Sequence, residues 1–127
     1  MTVKTGVSLP DDVYSMLLDI AESRGYKSVS QAIRDAVTLF VVANRWWGLE
    51  GRVAGAFQVL LKDDKWLGSI LSRYRGIIRT HVSVPLTGGR TIHIVVVEGP
   101  AGEAKRLYSE LVRVRGVLSV QPNILPV

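Results

Sequence analysis

The sequence predicts an α+β chain in two parts, a strand–helix–helix segment followed by a βαββαβ domain. Three observations predict it. Residues 3–9 alternate side chains between two faces as a strand does, with Val3, Val7 and Leu9 on one face and Lys4, Gly6 and Ser8 on the other. Two apolar stripes with i, i+3, i+4 spacing follow them before residue 42. Residues 53–127 then hold four strand-like runs and two helical stripes, in the order strand, helix, strand, strand, helix, strand.

Each element has a local cause. Pro10-Asp11-Asp12 opens the first helix, because Pro suits its start and acids suit the positive end of the helix dipole. Its stripe is Val13, Met16, Leu17, Ile20 and Ala21, and Gly25 ends it. Ser28-Val29-Ser30-Gln31 reads as a capping box for the second helix, whose stripe runs from Val29 to Val41. Ala43 to Arg52 breaks the periodicity with two glycines and a polar run and is expected to be a linker, with Trp46 and Trp47 packed at the domain junction. The expected domains are 1–44, a linker at 45–52, and 53–127.

In the second part, Val53 to Lys62 is a strand, and Asp63-Asp64 opens a helix carrying Trp66, Leu67, Ile70, Leu71 and Tyr74. Ile77 to Leu86 and Thr91 to Glu98 are strands joined by a Thr87-Gly88-Gly89-Arg90 hairpin turn, and Gly99-Pro100 breaks the chain. Ala101 to Val112 is a helix, and Val117 starts a last strand that Pro122 and Pro126 confine to a sheet edge. The third strand is apolar on both faces, which predicts helices over one face and another subunit over the other.

Composition narrows the function. Hydrophobic residues make up 47% and charged residues 21%, the balance of a globular chain. There is no cysteine, so no disulfide forms, and a reducing, cytoplasmic setting is expected. No apolar run reaches the ~18 residues of a membrane span, and no apolar leader follows Met1. The net charge of +5 suits a polyanionic partner. It is unevenly placed: residues 1–52 carry six basic and six acidic residues, and residues 53–127 carry ten and five. Net charge therefore does not single out the N-terminal segment as the part that meets such a partner. No nucleophilic cysteine, phosphate loop or paired catalytic histidine is present, so no enzyme is expected.

A lone strand and two helices bury too little to stand alone, and the physical solution is pairing with a second copy. The N-terminal segment resembles the ribbon-helix-helix class. The resemblance is carried by the alternating strand, Leu9-Pro10-Asp11-Asp12, Arg24-Gly25-Tyr26, and Ser30-Gln31-Ala32-Ile33-Arg34-Asp35-Ala36. It implies an intertwined dimer whose two-stranded ribbon reads double-stranded DNA in the major groove. Lys4, Gly6 and Ser8 would lie at the base edges, with Lys27 and Ser28 at a phosphate. Gly6 offers no side chain, so modest sequence discrimination is expected.

Taken end to end, the chain resembles the nickel-responsive repressors of the NikR type, which join a ribbon-helix-helix segment to an ACT-like, ferredoxin-like domain. The matching stretches include Ala32-Ile33-Arg34-Asp35, the strand end from Ile94 to Gly99, and Arg115-Gly116-Val117. The resemblance implies a transcriptional regulator assembled as a dimer of dimers. It also implies nickel, but here the chain departs from the pattern. The family's four ligand positions fall on Ser83, Pro85, Thr91 and, at or next to it, Ser72. A square-planar Ni(II) site wants imidazole or thiolate. No nickel is therefore expected at the family position, and no cofactor is assigned. His81 and His93 are the only imidazoles left. They are expected as ordinary sheet residues, with a shifted metal site the alternative. Two further functions stay open: an antitoxin-like protein gripping a protein partner, and a small-molecule sensor with Arg73, Arg75 and Arg79 holding an anion.

Overall fold

A computed structural model describes all 127 residues. The chain divides into two compact units, Met1–Val42 and Ala43–Val127.

The first unit contains α1 (Asp11–Ser23) and most of α2 (Val29–Asn44). Pro10 caps α1 from outside the helix, with φ −57° and ψ 149°. Gly25 closes it at φ +74°: its N–H donates to Glu22 O at 3.2 Å and that of Tyr26 to Ala21 O at 2.9 Å. This is the double bond pattern of a glycine-terminated helix. The start of α2 is capped as the sequence predicts, with a shift. Ser28 Oγ accepts from Gln31 N–H at 3.1 Å, but Gln31 Oε1 reaches Lys27 N–H at 3.1 Å, one residue beyond the capping residue.

Residues 1–10 form no strand within the single chain. The strand expected at 3–9 has no ladder partner here, because a strand is defined by the neighbour it bonds to. The expected apolar stripes are also uncovered. Ala21 and Ala32 are buried, whereas Met16, Ile20, Val37 and Val41 are at least half exposed. Two short helices have no third layer against which to close a core.

The second unit is a four-stranded antiparallel sheet in the order β2-β3-β1-β4, made by β1 (Arg52–Leu61), β2 (Ile78–Pro85), β3 (Thr91–Pro100) and β4 (Val117–Pro126). α3 (Leu67–Ser72) and α4 (Ala101–Leu111) complete the βαββαβ order. Both contribute to one core. Phe57, Val59, Leu61, Val95 and Val97 from the sheet meet Leu67, Ile70, Leu71, Ala104, Leu107 and Leu111 from the helices. β4 is an edge strand, as its two prolines require.

Three expectations change. Residues 45–52 do not form a free linker: Arg45–Gly48 is a short 3₁₀ helix belonging to this unit. Trp46 is buried against Phe57 and Tyr108, with ring centroids 5.9 and 5.2 Å apart, so it is core. α3 begins at Leu67, not at Asp63, because Lys62 N–H donates to Gly116 O at 2.7 Å and holds the chain extended into the turn. Gly99-Pro100 does not break β3. Pro100 pairs with Arg52 at the last rung, where a missing N–H costs little, and a side chain at Gly99 would collide with Ile77.

The side chains of β3 alternate. His93, Val95 and Val97 are buried under the helices. Ile92, Ile94 and Val96 lie on the opposite face, only half-buried, beside Val82 and Val84 of β2 at 49% and 44% exposed. That second face has no covering layer within this unit.

Candidate functional site

Lys4, Gly6, Ser8, Lys27 and Ser28 are all exposed. The Lys27 N–H is already used by Gln31, and the Gln31 N–H by Ser28 Oγ. An anion at this helix start would therefore meet the N–H groups of Ser28, Val29 and Ser30. The Tyr26 hydroxyl donates to the Asp35 carboxylate, which ties the turn before α2 to the helix itself. That hydrogen bond, with Asp35's charge and some burial, raises the Tyr26 pKa above its ordinary value.

In the second unit the chain's only two histidines meet. His81 on β2 stands opposite Val95, and Ser83 stands opposite His93, so the two rings are diagonal neighbours on one face of the sheet. The rings stack with centroids 5.0 Å apart, and His81 Nε2 lies 2.7 Å from His93 Nδ1. The other nitrogen of His93, Nε2, is 3.1 Å from Thr91 Oγ1 and 3.4 Å from Asp64 Oδ2. A carboxylate only accepts, so this nitrogen carries the hydrogen and Nδ1 presents a lone pair to His81. His93 is 3% exposed; His81 is open to solvent. Burial lowers the His93 pKa, the neighbouring His81 lowers it further, and Asp64 opposes both. Asp64 was legible only as a helix-start acid, and its contact with His93 has no signal in the sequence.

The positions where the NikR type places its nickel ligands lie on the same two strands and on α3. Ser83 and Pro85 lie on β2 opposite His93 and Thr91 of β3. Ser72 ends α3 and donates its hydroxyl to Ser69 O at 2.9 Å. Two hydroxyls, a proline and a third hydroxyl do not fit a square-planar Ni(II) ion. No cluster of three or more His, Cys, Asp or Glu side chains forms a ready metal cage. Of the arginines expected to hold an anion, Arg73 pairs with Glu110 and Arg79 with Glu98 at 3.2 Å. Both therefore already have a carboxylate partner. Arg75 lines a shallow pocket with Gly68, Leu71, Ser72, Ile78 and His81.

An antiparallel sheet with two helices packed into its core in βαββαβ order defines a ferredoxin-like α+β module. The comparisons give the family. Residues 63–125 match the model of the NikR C-terminal nickel-binding domain. A Methanosarcina mazei protein provisionally named nickel-responsive regulator 2 is 31% identical over 91% of this chain and 86% of its own. Provisionally named nickel-responsive regulators of Methanocella arvoryzae and Dictyoglomus turgidum are 28% and 30% identical, over 94% and 86% of this chain and 89% and 84% of theirs. The chain belongs to the nickel-responsive regulator family. No helix is long and apolar enough to cross a membrane.

Proposed function

We propose that the chain is a DNA-binding transcriptional regulator of this family, assembled as a dimer of ribbon-helix-helix dimers, and that its response does not run through nickel at the family position. The observation that carries the DNA-binding reading is the unfinished first unit. Residues 3–9 alternate but have no ladder partner, and the apolar faces of α1 and α2 lie open. A second copy supplies both the antiparallel strand and the missing half of the core. The paired ribbon then presents Lys4, Gly6 and Ser8 on its outer face to the major groove, and the Ser28 helix start receives a phosphate.

Lys4→Ala tests the placement of the ribbon. If Lys4 reads a guanine, the substitution should cost about 1–3 kcal/mol and relax discrimination at that base. If it touches only phosphate, binding should weaken alike on all duplexes and the salt slope should fall by about one. Unchanged affinity on every duplex contradicts the placement.

The nickel reading has its own measurement. Calorimetric titration of metal-free protein with Ni(II) should reveal no submicromolar site, and nickel should leave DNA affinity unchanged within about threefold, because a ligand shifts an equilibrium only by its differential affinity. One tightly bound nickel per chain with a large gain in DNA affinity would overturn this half of the proposal while leaving DNA binding intact.

A further inference from the structure

The geometry points to a second use of the histidine pair: we infer that His81 Nε2 and His93 Nδ1 form a two-imidazole site for one divalent transition metal ion of the zinc–copper class, displaced along the strands from the family's ligand positions. It goes beyond the regulator reading and does not depend on DNA binding.

Four observations converge. The chain has two histidines in 127 residues, separated by twelve positions, and the fold brings a nitrogen of one to 2.7 Å from a nitrogen of the other. Both rings sit on the strand pair β2–β3, across a hairpin whose register fixes them on one face. His93 is oriented as metal-ligating histidines are, with its far nitrogen donating toward Asp64 and Thr91 and its near nitrogen bearing the lone pair. The fourth is access. His81 is exposed and lines a pocket of about 340 Å³, so its side of the pair is open to solvent, although Arg75 shares that pocket.

One hydrogen, on His81 Nε2, now occupies the space between the rings. A metal ion replaces it there, and His81 shifts that hydrogen to its own Nδ1, so two neutral imidazoles bind without net proton release. Zn–N bonds of about 2.0–2.1 Å at a tetrahedral angle put the two nitrogens about 3.3 Å apart. The pair must widen by roughly 0.6 Å from that starting distance, and the exposed His81 ring is the one free to move. Two protein ligands with water give a site of micromolar affinity. Copper(II) should bind ahead of nickel and zinc, the usual order for nitrogen ligands. Such a site is far from the rigid four-ligand geometry that selects nickel, which keeps it compatible with the absence of a tight nickel site.

The test uses the full chain without DNA. Metal-free protein is titrated with Zn(II) by calorimetry and with Co(II) by visible absorption, alongside His81→Gln and Asp64→Asn. Wild type should bind one ion per chain with micromolar Kd, and Co(II) should develop ligand-field bands. H81Q, altered at an exposed position, should bind at least tenfold more weakly and lose the bands while its circular dichroism is unchanged. D64N should weaken binding about 10–100-fold through the orientation of His93. Absence of stoichiometric binding to wild type, equal affinity in H81Q, or D64N binding as tightly as wild type overturns the assignment. Failure of the regulator reading would show separately, as wild-type protein without affinity for any DNA duplex.

Discussion

Phe57→Ala should remove about 3–5 kcal/mol of stability, the cost of deleting a fully buried ring whose cavity does not collapse. Phe57 has no exposed surface. It lies on β1, which is hydrogen-bonded on both sides, opposite Val95 of β3 and Pro122 of β4. Its ring lies 5.9 Å from both Trp46 and Tyr108, and the Trp46 and Tyr108 rings are 5.2 Å apart. The backbone beneath is pinned by two ladders and the neighbours are rigid aromatics, so relaxation into the void is limited. Because total stabilities run near 5–15 kcal/mol, the variant should be close to unfolding at 37 °C. Urea denaturation at fixed chain concentration is the measurement, since assembly makes stability depend on concentration. Trp47→Ala, at a residue 48% exposed, is the control and should lose far less. Equal losses for the two would mean that Phe57 is not the centre of the core.

The second unit was legible because its signals are local and agree with one another. β-branched runs, glycine and proline punctuation, and two helical stripes each favour the element they form. Misreadings arose where a tertiary contact overrode a local signal. The tie from Lys62 to Gly116 delayed α3 past its acidic start, and the close approach of Ile77 made Gly99 a strand residue and not a breaker. Trp46 was expected at a domain junction because its stretch breaks the periodicity, while its partners Phe57 and Tyr108 lie eleven and sixty-two residues further on, within the second unit. The histidine pair was half legible. The sequence marks both as sheet residues, but the meeting of their nitrogens and the reach of Asp64 belong to side-chain geometry that spacing does not encode. The first unit illustrates the opposite case. Its residues state a strand and two apolar stripes plainly, and the single chain leaves the strand unpaired and the stripes exposed.

Ile94→Glu should halve the assembly. Ile94 is at the middle of the open face of β3, with Val82 paired to it on β2 and Gln58 on β1. Ile92, Val96 and Val84 surround it with apolar surface that no element of the second unit covers. A contiguous patch of this kind on a sheet face marks an interface, and the proposed dimer of dimers supplies the partner: a second sheet laid on the first. A carboxylate at position 94 would be buried there without a counter-ion, at a cost of several kcal/mol in each chain. The ribbon-mediated pairing of the first unit would be untouched. Light scattering should therefore report about 56 kDa for wild type, four chains of 14.0 kDa, and about 28 kDa for the variant. The helix-covered core lies on the other face of the sheet, so circular dichroism should be preserved. A four-chain mass that survives the substitution would move the contact elsewhere on the second unit, and a wild-type mass of 14 kDa at micromolar concentration would remove both pairings at once.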